Sequence, residues 1–254
     1  MVALIRAEFR KLGTTQVWFW MLLLCLGLTA LGVVGSIASH KSDLDLAQHV
    51  RDVMISASAA FTYVPLFVLG VLAVTTEYRY QTITPTVLAT PSRWALITAK
   101  LITYTVVGAV FAVLCLVIQL VIALPWLSAR NVHVSLSEQK GPLLITFLVL
   151  TLFALVGLGT GALLRNQIVA VTVGVIFILV LARLILLIPG VKYVYPYTPT
   201  GAVDSIITDP HDTEARVIND VHLISPGAGI AVLVVWGLAL SLLGAGITMN
   251  RDIS

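Results

Sequence analysis

The residues able to make or break bonds are few, and their spacing assembles no reaction centre. The five histidines, His40, His49, His133, His211 and His222, are the natural general bases and metal ligands. A zinc hydrolase of the helical type needs His-Glu-x-x-His, which puts two imidazoles on one helix face, and that motif is absent. His211 and His222 with Asp209, Asp212 and Asp220 could in principle bind a metal, but their spacing is irregular for such a site. The Gly-x-Ser-x-Gly turn that exposes a nucleophilic serine is missing as well. Gly157-Leu-Gly-Thr-Gly161 has the glycine content of a phosphate-cradling loop without its lysine, and it lies inside an apolar run. There Gly157 and Gly161 read as a G-x-x-x-G step that lets two helices approach closely. Cys25 and Cys115 also lie in apolar runs and read as small core residues rather than a disulfide framework. The chain is expected to hold no catalytic residue, metal or cofactor of its own.

The elements that would position any site are dictated by composition. Hydrophobic types make up 59% of the 254 residues and charged types 11%, with a mean hydropathy of +1.02. Soluble domains carry about 45–50% apolar and about 25% charged residues. A soluble enzyme, a disordered tail and a nucleic-acid-binding domain are excluded, and nucleic acid is not an expected partner. Six stretches are long and apolar enough for a helix to cross a bilayer, at about 17–38, 54–76, 95–126, 142–164, 168–188 and 228–249. No period-two series suggests a barrel, and backbone groups in lipid must be satisfied internally, which leaves an all-α integral membrane bundle. Residues 1–254 read as one transmembrane domain.

Residues 1–16 are not a cleavable signal, because the apolar run after them is too long and no cleavage site follows closely. Ile5, Phe9 and Leu12 fall at i, i+4 and i+7, with Arg6, Arg10 and Lys11 on the other side. This spacing predicts an amphipathic helix lying in the lipid headgroup layer, the alternative being an ordinary charged flank. With the N-terminus inside, the inner segments hold eight basic and three acidic residues, and the outer segments six basic and nine acidic. Basic residues also flank the first span on its N-terminal side, so both termini are expected to face the cytoplasm.

Ion-coupled carriers place acids or histidines in their spans, and these spans carry almost none. Arg183 sits near the end of the fifth, where it either snorkels to the outer interface or faces the bundle to meet an anion. Gln119 reads as an interhelical hydrogen-bond partner, with a pathway role as the alternative. With no ion relay and no nucleotide loop, a transport function needs its energy from a separate subunit docked on the cytoplasmic face.

Residues 77–94, Glu-Tyr-Arg-Tyr-Gln-Thr-Ile-Thr-Pro-Thr-Val-Leu-Ala-Thr-Pro-Ser-Arg-Trp, exceed what a turn needs. Thr84-Pro85 fits a helix N-cap followed by proline at the first helical position, and Thr90-Pro91 repeats the signal. Thr86, Val87 and Leu88 between them would form a short exposed knob. The alternative is an interfacial loop anchored by Trp94. Glu77, Tyr78, Arg79, Thr82, Leu88, Pro91, Arg93 and Lys100 together resemble the pattern that follows the second span in ABC-2 type permeases, the membrane subunits of a class of ATP-binding cassette exporters. That pattern has an acid, a nearby base, Gly-Thr, a Leu, Pro-x-Arg and a Lys opening the third span. Here Gln81 stands where glycine is common. The layout of an N-terminal interfacial helix, six spans, cytoplasmic termini and a long outer segment before the last span is similar to that family over the whole chain, and the wording around Thr84 looks like its actinobacterial members.

The resemblance implies that 77–94 is a coupling segment. Pro85, Thr86, Val87 and Leu88 would lie in the part that meets the ATPase, and Glu77, Arg79 and Arg93 would fix its ends. It implies two copies of an ABC ATPase subunit as partners, with ATP and Mg held by them, and a second permease, identical or related, beside this chain in the cytoplasmic membrane. Phe61, Phe67, Phe111 and Phe147, with Gln119, are the candidate pathway lining for an amphipathic or hydrophobic cargo such as a drug, lipid or peptide. The alternative function is a membrane immunity or sensing subunit that transports nothing.

The outer segment 189–227 has Tyr193, Tyr195 and Tyr197 placed as an aromatic belt. It has room for two short helices, at 202–208 and 214–224, either side of Asp209-Pro210. Val203, Ile206 and Ile207 give the first an apolar face to dock on the bundle.

Overall fold

A computed structural model describes residues 1–40, 42–81 and 93–250. The chain is a helical bundle with a small hairpin near one end. In order it forms α1 (Val2–Thr14), α2 (Val17–Ser39), α3 (Asp43–Gln48), α4 (Val50–Ala59), α5 (Tyr63–Arg79) and α6 (Arg93–Ala129). Then come α7 (Lys140–Leu164), α8 (Gln167–Ile176), α9 (Ala182–Ile185), α10 (Pro199–Ile207), the strands β1 (Val217–Ile218) and β2 (Val221–His222), and α11 (Pro226–Asn250).

Among the described residues, five helical stretches are long and apolar enough to cross a membrane. They start at Val17, Ala95, Lys140, Gln167 and Pro226, within three residues of the expected first, third, fourth, fifth and sixth spans. The expected second span is interrupted. α4 ends at Ala59, Phe61 turns into the left-handed region at φ 57°, and α5 restarts at Tyr63. Pro65 explains the break. It occupies the third position of α5, where it needs no intrahelical partner, and its ring would clash with the carbonyl of Phe61 in a continuous helix. Upstream of the break, Met54 O in α4 accepts a 2.7 Å hydrogen bond from Gln119 Nε2 of α6.

α7 lies at the centre, with α5, α6 and α11 packed around it. Its glycines set the spacing. A Cβ on Gly157 would collide with the backbone carbonyl of Phe67, and one on Gly161 would come within 2.6 Å of Val71 O. The G-x-x-x-G step thus holds α7 backbone to backbone against α5. Cys25 and Cys115 are free thiols buried in the core. α6 runs for 37 residues, about 55 Å at 1.5 Å per residue, and so outruns a hydrocarbon core of about 30 Å. α7 joins α8 through Arg165 at φ 54°, and Asn166 caps α8 by accepting from Val169 N at 3.1 Å. Beyond α8 the helix loosens into a π segment over Phe177–Leu181 before α9.

The segment before the last span departs from expectation in one place. α10 forms where a helix was expected, opened by Thr198 as N-cap and Pro199 at the first position, with Val203 and Ile206 buried against the bundle. The second outer helix, at 214–224, does not form. Val217 pairs with His222 and Ile218 with Val221 in a hairpin whose corner residues, Asn219 and Asp220, both have positive φ. Asn and Asp are among the residues that tolerate the left-handed pair required by a tight two-residue turn, and this local preference overrides the helical pattern. Lys192–Tyr197 is a 3-10 helix that buries Tyr195 and leaves Tyr193 and Tyr197 exposed.

Candidate functional site

Four charged side chains meet where α1, α5 and α6 converge. Lys100 Nζ lies 2.7 Å from Glu8 Oε2 and 2.8 Å from Glu77 Oε1, and donates to Ala73 O at 3.2 Å. Lys11 Nζ contacts the same two acids, at 3.0 Å to Glu8 Oε1 and 2.7 Å to Glu77 Oε1. Glu8, Glu77 and Lys100 are buried, whereas the Lys11 side chain is 45% exposed. Two acids and two bases make the node neutral, which is how charges survive out of water. Burial by itself would lower the Lys11 pKa, but hydrogen bonds and attraction from Glu77 and then Glu8 outweigh it and hold the ammonium above its ordinary value. A cavity of about 300 Å³ opens beside the node, where Glu8, Lys11 and Glu77 meet Leu12, Leu69, Leu72 and Tyr104.

The two residues after Glu77 reach the other way. Tyr78 carries the Arg165 guanidinium 5.8 Å from its ring centroid, and Arg79 donates to Gln167 Oε1 at 3.2 Å. Three consecutive residues therefore tie the last turn of α5 to α1, α6 and the α7–α8 corner. Just beyond them Gln81 stands at φ 54°, a conformation glycine adopts without cost. That is the position where the resembling pattern carries glycine.

This arrangement assigns the expected coupling residues unevenly. Glu77, Tyr78 and Arg79 are brought together as anchors. Thr82, Pro85, Thr86, Val87, Leu88 and Pro91 lie outside the described residues, and Arg93 opens α6. The partners of Glu77 are Lys100, Lys11 and, through both lysines, Glu8. Sequence reasoning placed Lys11 on the polar face of α1 and left Glu8 without a role. The available signal was Lys100, a charge five residues inside an expected span, which demands a buried carboxylate.

The candidate lining residues sit in different surroundings. Phe67 and Phe111 are buried in the core of the bundle, Phe147 packs on it half-buried, and Phe61 is exposed at the α4–α5 break. Gln119 bridges α6 to α4. Arg183 neither snorkels free nor stands open. It pairs with Asp204 of α10 at 2.8 Å and lies over the Tyr195 ring, while Tyr195 Oη donates to the same carboxylate at 2.5 Å. The irregular His211 and His222 group does not assemble: Asp209 pairs with Arg51, and Asp220 with Lys192.

The chain is thus a multi-pass helical bundle with a neutral charged node where α1, α5 and α6 meet. Residues 4–181 match the family model described as ABC-2 family transporter protein. The chain belongs to that family and is a membrane permease subunit of it. No curated protein matches the chain.

Proposed function

We propose that the chain is the permease half of an ATP-binding cassette exporter that moves an amphipathic or hydrophobic cargo (drug, lipid or peptide) across the cytoplasmic membrane. Two ATPase subunits bind below it and supply ATP and Mg chemistry. A second permease, identical or related, completes the pathway. Both termini and the 77–94 segment face the cytoplasm, and α4 and α5 together form one interrupted span, which makes six. Within 77–94, Pro85, Thr86, Val87 and Leu88 meet the ATPase, Glu77, Arg79 and Arg93 fix the ends of the segment, and Thr82 and Pro91 complete the coupling pattern.

The observation that carries this reading is the three-way anchoring of the last turn of α5. A push delivered just beyond Tyr80 has no slack to absorb it. It passes through Glu77 to α1 and α6, and through Tyr78 and Arg79 to the α7–α8 corner. Tight packing transmits displacement rather than damping it. Closure of the ATPase dimer would then shift the bundle between inward-open and outward-open states. The test is ATP hydrolysis and cargo movement in proteoliposomes holding the permease with its ATPase. In complexes that retain the ATPase, Glu77→Ala should lower cargo moved per ATP hydrolysed. Unchanged stoichiometry of cargo to ATP in Glu77→Ala would defeat the reading.

A further inference from the structure

The far end of α2 carries a group that the transport reading does not use. His40 caps α2, Asp45 lies in the first turn of α3, and His49 sits at the corner between α3 and α4. One donor atom from each of the three lies within 4.8 Å of the other two, and the imidazole centroids are 5.0 Å apart. His40 and Asp45 are half-buried and His49 is exposed. We propose that His40, Asp45 and His49 form a binding site for a divalent transition-metal ion of the Zn²⁺ type on the outer face of the protein.

The hydrogen bonds prepare both rings for this role. His40 Nδ1 lies 2.8 Å from Ser36 O, and His49 Nδ1 lies 2.8 Å from Asp45 O. A backbone carbonyl can only accept, so each ring places its proton on Nδ1 and presents a bare Nε2 lone pair. This is the second-layer arrangement that orients metal-binding histidines. Among the described residues neither Nε2 has a partner. The Asp45 carboxylate, 3.2 Å from His49 Nδ1, duplicates a contact that the Asp45 carbonyl already makes and is free to turn to an ion.

The fit is close. Bonds of about 2.0–2.1 Å in tetrahedral geometry place donors about 3.3 Å apart, and the three side chains, with one donor atom of each within 4.8 Å of the others, rotate to bring both Nε2 atoms onto the ion. Two imidazoles and a carboxylate suit Zn²⁺ and Cu²⁺ and leave one position for water. The corner beneath is firm, because Ile37, Leu46, Val50 and Val53 form a buried cluster under it. Arg130 is paired with Asp43 at 2.8 Å and donates to His40 O at 3.1 Å, and Asp52 adds a negative charge near His49. A bound ion would staple the end of α2 to the α3–α4 corner and so restrain α4, which leads into the break before α5.

The test uses the full chain in nanodiscs, freed of any histidine tag, stripped with chelator and titrated with ZnCl2 by calorimetry. Wild type should take up one ion saturably. His40→Gln and His49→Gln should weaken binding at least about tenfold, and His211→Ala and His222→Ala should match wild type. Glutamine keeps a donor for the Ser36 and Asp45 carbonyls, so the variants should retain wild-type elution and circular dichroism. Co²⁺ should give visible absorption in wild type that His49→Gln abolishes. Absent saturable Zn²⁺ binding in wild type, or wild-type affinity in the His40→Gln/His49→Gln double variant, overturns the site. None of these readouts involves ATP or cargo, so the result stands apart from the transport proposal.

Discussion

Replacing Lys100 with methionine separates a structural node from a surface decoration. Lys100 Nζ is buried and touches Glu8 at 2.7 Å, Glu77 at 2.8 Å and the Ala73 carbonyl at 3.2 Å. Methionine keeps the stem and removes only the charge. Breaking a buried pair by removing one partner costs about 3–5 kcal/mol, because the remaining charge is stranded. Lys11 still reaches both acids, so the lower end, about 3 kcal/mol, applies. Lys11 makes equally short contacts, yet its side chain is 45% exposed, and exposed pairs contribute about 0–1 kcal/mol. Lys11→Met should therefore cost at least about 2 kcal/mol less than Lys100→Met, a factor of about 30 in the folded-to-unfolded ratio. Unfolding in SDS, followed by circular dichroism, reads the difference. A cycle with Glu77→Gln should show coupling with Lys100→Met well above that with Lys11→Met. Equal costs for the two lysines, or an additive Glu77→Gln/Lys100→Met pair, would refute the reasoning. The pH profile has a defined sign. Lys11 has its folded pKa raised above 10.5, so its contribution is complete below that value and is lost only as pH rises through the raised one. Lys11 should add no slope to stability between pH 6 and about 9.

Three further outcomes follow from the same geometry. Arg183→Met should destabilise more than Asp204→Asn, by about 1–3 kcal/mol, because it strands a carboxylate whose side chain is 12% exposed, whereas the 44% exposed guanidinium can turn to water; paired SDS unfolding curves check this. Gly157→Ala should cost about 1–3 kcal/mol by driving a methyl into the Phe67 carbonyl, while Gly35→Ala, with nothing within 4 Å, should be neutral or gain up to about 1 kcal/mol in the same assay. Gln81→Gly should be tolerated and Gln81→Val should cost about 1 kcal/mol or more, since the backbone there is left-handed, and thermal midpoints of the two variants give the order.

Helix periodicity and apolar length carried much of the bundle, because a bilayer leaves the backbone few alternatives. The outer helix was legible in its apolar spacing at 202–208, whereas its start at Thr198-Pro199 lay three residues earlier. Two features were in the sequence as local chemistry that a hydropathy window averages away. Pro65 breaks the second apolar run, and Asn219-Asp220 turns a helical-looking stretch into a hairpin. The family pattern singled out Glu77, Tyr78 and Arg79. The partners of Glu77 were not legible, since Glu8 and Lys11 lie far from Glu77 in the chain and meet it only once α1 folds against α5 and α6. The pairing of Arg183 with Asp204 was hidden for the same reason: charge complementarity across 21 residues has no spacing rule. His40, Asp45 and His49 come together through two helix corners rather than one periodic face, so no ligand motif announces them.

Co-purification tests the central claim most directly. The chain is isolated in mild detergent from its native membrane, and co-eluting proteins are identified by mass spectrometry, for wild type and for Glu77→Ala/Arg93→Ala. An ABC ATPase subunit that co-elutes with wild type, at reduced yield with the double variant, is the predicted result. A stably folded wild-type chain that elutes with no ABC ATPase would contradict the account.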